Sequence, residues 1–350
     1  MKSKKKSVAI IFGGVGFEHE VSVRGADFIL ENIDRCAYEP IAVYITRLGG
    51  WRLCKTGSTA TDAMLGKSES RQTFPVCIGG RSGLIVGRRV KELYAAIPLL
   101  HGDGGEDGRV QNTLCTAGIR CAGEGAEVSA LSLDKAYTKI IAEHVGVPTV
   151  PFAMRYEQAP NSPDIKEARA AAESLGYPVF VKPRCLGSSV GCAVARRPDE
   201  FEKAYRRASS LGDGKVIIES YFENIREVEC AYISCFGKDL FTSVGEIECL
   251  NGFYSFQDKY SKDSTAKVTT RADLDPLINE RIKEYSKRLK RALMVRSISR
   301  FDFFVKGEEV LFNEINTMPG MTPSSLFPKM LESHGVSPKD MISALIEAAV

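Results

Sequence analysis

The chain has 350 residues, 44% of them hydrophobic and 26% charged, with a formal net charge of +3. At roughly one domain per 150 residues this is material for two or three packed cores, and the balance excludes a disordered chain. So small a net charge argues against a nucleic-acid or membrane partner, and no apolar stretch approaches the roughly 18 residues of a membrane span.

The start, Met1-Lys2-Ser3-Lys4-Lys5-Lys6, has the charge of a signal-peptide n-region, but only Val8 to Phe12 follow before Gly13-Gly14. That is shorter than a secretory h-region of roughly 7–15 residues and reads as a buried strand, so a cytoplasmic protein is expected. The ten cysteines are scattered, without Cys-x-x-Cys and far from paired histidines, which suits reduced apolar packing and disfavours zinc.

Glu20 to Asn32 has helical spacing, Pro40 to Ile45 reads as a strand, residues 55 to 75 as a polar loop, and Tyr94 to Leu100 as a third strand. This βαβ rhythm predicts an α/β fold with an open parallel sheet, its ligands at the strand C-terminal ends. Residues 127 to 145 read as one helix, and Val147 to Pro163, with four prolines, as a linker. Beyond it come a helix over 165–175, strands at 178–182 and 190–195, a helix near 198–210 and a strand at 216–219. From about 226 the pattern becomes antiparallel (α+β): strands over 228–235 and 240–247, a polar loop over 250–270 that suits either a lid or a flexible connection, and strands over 297–305 and 309–315. Between the last two regions Asp275-Pro276 opens an amphipathic helix, Asp as N-cap and Pro at N1; its basic face reads as a solvated surface. Lys339 to Val350 reads as a terminal helix.

Two phosphate-loop patterns fail. Gly66-Lys67-Ser68 lacks the first glycine of a Walker A motif, Thr61 standing in its place, and Gly13-Gly14-Val15-Gly16 does not fit G-x-G-x-x-G. The segment Lys182 to Gly191 offers a lysine, two hydroxyls and backbone N–H groups, which suits either a polyphosphate or an ordinary hairpin turn. Most informative are Arg300-Phe301-Asp302 and Glu314-Ile315-Asn316. Their i, i+2 spacing puts both polar members of each pair on one strand face. Asp302, Glu314 and Asn316 together form an oxygen donor set for Mg2+, with a buried ion pair to Arg300 as the plainer alternative. Thr317 to Ser325 follows as a Gly- and Ser-containing loop able to face an anionic substrate.

In this order these motifs resemble those of the D-alanine–D-alanine ligases of the ATP-grasp superfamily, over nearly the whole chain. The resemblance is carried by Glu18-His19-Glu20-Val21-Ser22, His101 to Gly108, Lys182-Pro183 with Gly187-Ser188-Ser189-Val190-Gly191, Asp258-Lys259-Tyr260, and Asn313 to Thr322. It implies an ATP-grasp fold of three subdomains: an N-terminal domain over 1–125, a central lobe over 126–215, and a C-terminal catalytic lobe over 216–350. It further implies ATP-driven joining of two D-alanines through an acyl phosphate for the peptidoglycan precursor, two Mg2+ ions (Mn2+ as a substitute), and a homodimer.

By that resemblance Lys135 and Lys182 hold ATP phosphates, Lys259 the γ-phosphate, Glu219 the adenine and Glu227 the ribose. Asp302, Glu314 and Asn316 bind metal. Glu18 takes the first D-alanine's ammonium, and His101, supported by Glu106, its carboxylate. Arg300 and the Gly320 N–H face the oxyanion. Ser188 and Tyr260 form a hydrogen-bonded set with Glu18, and Ser325 with Leu326 receives the second substrate. Leu326 favours D-alanine over D-serine, and Tyr260 an amine over D-lactate, in a family that includes D-serine and D-lactate ligases. Three positions depart from the family pattern: Pro323-Ser324 beside that pocket, Phe256 in the lid, and Gly14-Val15-Gly16-Phe17 before Glu18. A non-catalytic ATP-binding regulatory protein and a dinucleotide oxidoreductase are the readings from other classes; the intact acidic strand pair argues against both.

Overall fold

The computed structural model describes residues 5–102, 104–248 and 267–349. The first strand, Lys6–Gly13, pairs in parallel with Tyr38–Ile45 on one side and Ala95–Pro98 on the other. Its unbroken apolar run follows from burial on both faces. Val8, Ile10 and Phe12 pack with Ile29 of helix His19–Asn32 and with Ile342 and Leu345 of helix Pro338–Glu347. Ala9 and Ile11 pack with Val110 and Leu114 of helix Arg109–Thr116.

This sheet is parallel only at its centre. Trp51–Cys54 and Ser70–Gln72 extend it antiparallel, so the expectation of an open parallel sheet is corrected to a mixed one. The polar stretch 55–75 is likewise not all loop, since it also holds helix Ala60–Met64. A three-stranded antiparallel meander, Pro75–Ile78, Arg81–Val86 and Arg89–Glu92, was not expected.

Two antiparallel sheets follow. The first runs in the order Ala193–Ala195, Val179–Pro183, Lys215–Ser220, Phe152–Tyr156. The expected linker thus contains a strand. The second runs in the order Lys267–Thr269, Gly245–Glu248, Arg226–Cys235, Ile298–Lys306, Glu309–Asn316, with Lys238–Phe241 also paired to Arg226–Cys235. Two strands therefore stand where one was expected over 240–247, and the far end of the expected 250–270 loop is a strand. The rest of that loop lies outside the described residues.

Asp275 does cap helix Pro276–Ala292, accepting from the Leu277 N–H at 2.7 Å, and Ile278, Ile282 and Leu289 are buried beneath it. The single helix expected over 127–145 is broken into Ala126–Leu133 and Lys135–His144. Asp134 is the reason: extended at φ −83°, ψ 100°, it accepts from the Ala136 and Tyr137 N–H groups and so caps a new helix. Arg184 grips the same carboxylate with two N–H groups at 3.0 and 2.7 Å, tying the helix start to the end of strand Val179–Pro183. Helix Leu326–Glu332 was also unforeseen; it follows the 317–325 loop directly.

Candidate active site

Every candidate site residue among those described lines one cavity of about 910 Å³. Lys259 and Tyr260 lie outside the described residues, so the structure says nothing of either.

On the lysine side, helix Lys135–His144 delivers Lys135 and, one turn on, Lys139. Lys182 comes from strand Val179–Pro183 and Glu219 from its antiparallel partner. Glu219 sits between two ammonium groups, Lys182 Nζ at 2.6 Å and Lys139 Nζ at 3.2 Å. Burial alone would raise its pKa, but the two lysines hold it below the usual carboxylate range. Lys139 is wholly buried and also donates to the Phe312 carbonyl at 3.2 Å; burial drives its own pKa down, against the pull of Glu219. Lys182 further donates to Asn313 Oδ1 at 3.2 Å.

The acidic side is the strand pair Ile298–Lys306 and Glu309–Asn316. Arg300 stands opposite Asn316 and Asp302 opposite Glu314, so the four polar side chains share one face as their spacing requires. A bulge between Asp302 and Phe303 adds Asn313 to the same region, where it meets Lys182. Arg300 donates to both oxygens of Asp302 at 2.7 and 2.6 Å, and Asn316 Nδ2 donates to Asp302 Oδ2 at 3.0 Å. Glu314 faces Lys135 Nζ at 3.2 Å, and Lys135 also donates to the Leu186 carbonyl at 2.8 Å. Burial opposes charge on both cations, yet Glu314 holds the Lys135 pKa raised and Asp302 with Glu229 holds that of Arg300 well above its ordinary value. The ion pair and the oxygen donor set, posed as alternatives by the sequence, are the same cluster. Among the described residues no three His, Cys, Asp or Glu side chains make a closed metal site. A hard cation beside Asp302, Glu314 and Asn316 would complete its shell with other oxygens, which is the habit of Mg2+ with nucleotide phosphates.

A third cluster forms where the N-terminal sheet meets the hairpin over 183–193. Glu18, at the N-terminus of helix His19–Asn32, accepts from Ser188 Oγ. Two glycines give its carboxylate room: a Cβ at Gly102 would stand 2.7 Å from Glu18 Oε2, and one at Gly187 2.9 Å. Ser188 and Ser189 hold positive φ, 50° and 58°, without being glycine, a strained pair at the point of contact. His101 is buried, with Nδ1 3.1 Å from the Met318 carbonyl, and its Nε2 has no hydrogen-bond partner among the described residues. Glu106 accepts from the Gly102 and Met318 N–H groups at 3.0 and 3.2 Å, and burial raises its carboxyl pKa. Gly320 faces Ser325, whose Oγ accepts from the Thr322 N–H at 3.1 Å. Leu326 is buried; it lies where a Cβ on Gly245 would be 3.1 Å away.

Sequence reasoning missed Lys139, Asp134, Arg184, Asn313 and Glu229. Two of these had a signal. Lys139 is four residues from Lys135 on one helix face, and Glu229 two residues from Glu227 on one strand face. The rest depend on tertiary packing. The glycine-rich turn at 13–16 does not line the cavity.

Two antiparallel sheets that meet on a cavity, with Lys182 and Glu219 from one and an acid–arginine cluster from the other, define an ATP-grasp fold. Comparison with known proteins is specific within that class. The family described as D-ala D-ala ligase N-terminus matches residues 7–124, and D-ala D-ala ligase C-terminus matches residues 141–347. A D-alanine–D-alanine ligase of Chlorobium luteolum is 38% identical, the match covering 98% of this chain and 97% of the relative. Among solved structures, the VanG D-Ala:D-Ser ligase of Enterococcus faecalis aligns with a TM-score of 0.85 at 29% identity, covering 99% of both chains. The D-alanine–D-alanine ligase of Coxiella burnetii aligns with a TM-score of 0.85 at 26% identity, covering 99% of this chain and 94% of that one. The chain belongs to the D-alanine–D-alanine ligase family, an enzyme family that uses ATP on small-molecule substrates. Among the described residues no helix is long and apolar enough to cross a membrane.

Proposed function

We propose that this enzyme uses ATP to join two molecules of D-alanine into D-alanyl-D-alanine for peptidoglycan synthesis, in the cytoplasm and as a homodimer. The observation that carries this reading is the convergence of Glu18–Ser188, the lysine–Glu219 group and the Arg300–Asp302–Glu314 cluster on one cavity.

A carboxylate is a poor electrophile, so the first D-alanine must be activated. Its carboxylate oxygen attacks the γ-phosphorus of ATP, ADP leaves, and an acyl phosphate forms. The amine of the second D-alanine then attacks the acyl carbon, loses a proton, and inorganic phosphate departs. The protein's part is positioning and charge neutralisation. Lys135 and Lys182 take ATP phosphates, with Lys259 for the γ-phosphate, while Glu219 and Glu227 take the adenine and ribose. Asp302, Glu314 and Asn316 are the ligands we assign to two Mg2+ ions (Mn2+ as a substitute). When bound, the ions neutralise phosphate charge during transfer. Glu18 binds the first substrate's ammonium, and His101, whose Nε2 has no hydrogen-bond partner among the described residues, offers itself to the carboxylate. Arg300 and the Gly320 N–H are the donors we assign to the tetrahedral oxyanion. Ser188, with Tyr260, holds Glu18 in place, and Ser325 with Leu326 receives the second D-alanine. The domain boundaries at about 125 and 215 belong to the same reading.

A second reading, with D-serine as the second substrate, draws on Pro323-Ser324 beside Leu326 and on the likeness to a D-Ala:D-Ser ligase. Competition separates them: with ATP, Mg2+ and equimolar D-alanine and D-serine, mass analysis should show chiefly D-alanyl-D-alanine. A dominant mixed dipeptide would replace the first reading with the second. No D-amino-acid-dependent turnover would remove both.

A further inference from the structure

Arg300 is held by two carboxylates, and only one was foreseen. Besides the bidentate grip on Asp302, its Nε lies 3.2 Å from Glu229 Oε1. Glu229 comes from the neighbouring strand Arg226–Cys235, where it stands directly opposite Asp302, with Ala231 opposite Arg300. The three side chains therefore lie together on the cavity-facing side of two adjacent strands. Glu229 is only 5% exposed. A carboxylate so far from water is costly to bury unless a cation answers it, and Arg300 is a cation it touches.

The arrangement has a consequence for the site when it is loaded. Asp302 gives both oxygens to Arg300 at 2.7 and 2.6 Å, but in the function proposed above those oxygens are metal ligands. A guanidinium anchored by Asp302 alone would be released as the metal binds. We propose that Glu229 is a positioning residue that keeps Arg300 in place, through its Nε, when the metal–nucleotide complex takes up Asp302. The inference rests on that functional reading. Glu229 acts through Arg300 and is not itself a ligand of substrate or metal.

The test uses the full-length enzyme and three variants: Glu229→Ala, Glu229→Leu, which removes the acceptor while filling the volume, and Glu229→Gln, which keeps an oxygen for the Arg300 N–H. Displacing Arg300 by the order of 1 Å should cost about 10²-fold in kcat. KM for ATP and D-alanine should stay within about threefold, because an interaction made mainly in the transition state is lost. Glu229→Gln should recover most of the loss. Calorimetric titration with Mg2+ and ADP, without D-alanine, should give wild-type affinity in all three variants. Should the Ala variant fail to fold, the Leu variant carries the same expectation. Wild-type kcat in Glu229→Ala or Glu229→Leu would overturn the proposal. So would a tenfold or greater loss of Mg–ADP affinity in both that Gln fails to restore, since Glu229 would then be a metal ligand. Failure of the functional reading looks different: the unmodified enzyme itself would show no D-alanine-dependent turnover.

Discussion

Asp302 and Glu314 stand directly opposite one another on the last two strands of the C-terminal sheet, and each carboxylate answers a different cation. Asp302 is held by Arg300 at 2.7 and 2.6 Å, and Glu314 faces Lys135 at 3.2 Å. The pair thus connects the acidic strand face to the helix that Asp134 starts, and through it to the lysine side of the cavity. Replacing Glu314 with Gln removes a charge that both Lys135 and the proposed metal require. Mg–ADP affinity should fall at least about tenfold and kcat by about 10² or more. Calorimetry and steady-state kinetics check this; unchanged Mg–ADP affinity would remove Glu314 from the metal site.

The buried triad of Lys139, Glu219 and Lys182 makes a separate prediction about stability. Lys139→Met takes one partner from a Glu219 that is 2% exposed. Removing one partner of a buried pair typically costs about 3–5 kcal/mol, and the remaining contact to Lys182 at 2.6 Å places the expected loss near 3 kcal/mol. Urea unfolding measures it. A loss below about 1 kcal/mol would mean that Lys182 alone neutralises Glu219.

Ser188 joins Glu18 from a strained backbone position, φ 50°. Ser188→Gly relieves the strain and deletes the hydroxyl, whereas Ser188→Ala deletes the hydroxyl alone. Both should lose about 10-fold or more in kcat, as expected when a positioning hydrogen bond goes, while the Gly variant unfolds at no lower temperature than wild type. Full activity in either variant would show that Glu18 needs no help from Ser188.

Glu124 offers a pH test away from the chemistry. Its buried carboxylate accepts the N–H groups of Arg296, Ser297 and Ile298, the residues that lead into the strand carrying Arg300, at 2.7–3.2 Å. Burial raises its pKa, although those N–H groups pull the other way. A folded pKa above the unfolded value of about 4.3 means a contribution fully present below that value and lost as pH rises through the folded pKa. Glu124→Gln should cost about 1–3 kcal/mol in unmade hydrogen bonds. The difference from wild type should shrink as pH rises from about 4 towards 7. Urea titrations across that range check the sign; a difference that grew with pH would contradict it.

How much of this was legible in the sequence depended on how local the cause was. The strand pair carrying Arg300, Asp302, Glu314 and Asn316 could be read from period-two spacing, because one residue's shift would have turned every polar group into the core. The break at Asp134 could not, since its cap is reinforced by Arg184 from a strand 50 residues later in the chain. The meander over 75–92 did carry a signal: Gly79-Gly80, both at positive φ, is the two-residue turn of a tight hairpin, and a short strand on either side follows from it. Strand Phe152–Tyr156 was hidden by flanking prolines; it is an edge strand, the one place where prolines at its ends do no harm. Spacing placed Glu229 on the strand face of Glu227 but not against Arg300, and Asn313 had no such signal. Their roles come from the register of neighbouring strands and from a bulge, which no single strand's spacing contains.

In the proposed reaction ATP phosphorylates the first D-alanine on its carboxylate before the amide bond forms. This step is tested most directly with D-alanine carrying oxygen-18 in both carboxylate oxygens, ATP and Mg2+, with mass analysis of the released phosphate. If an acyl phosphate forms, each turnover yields ADP, and one labelled oxygen leaves with the phosphate. Release of AMP, with the label in AMP and none in inorganic phosphate, would mean activation as an adenylate and would contradict the account.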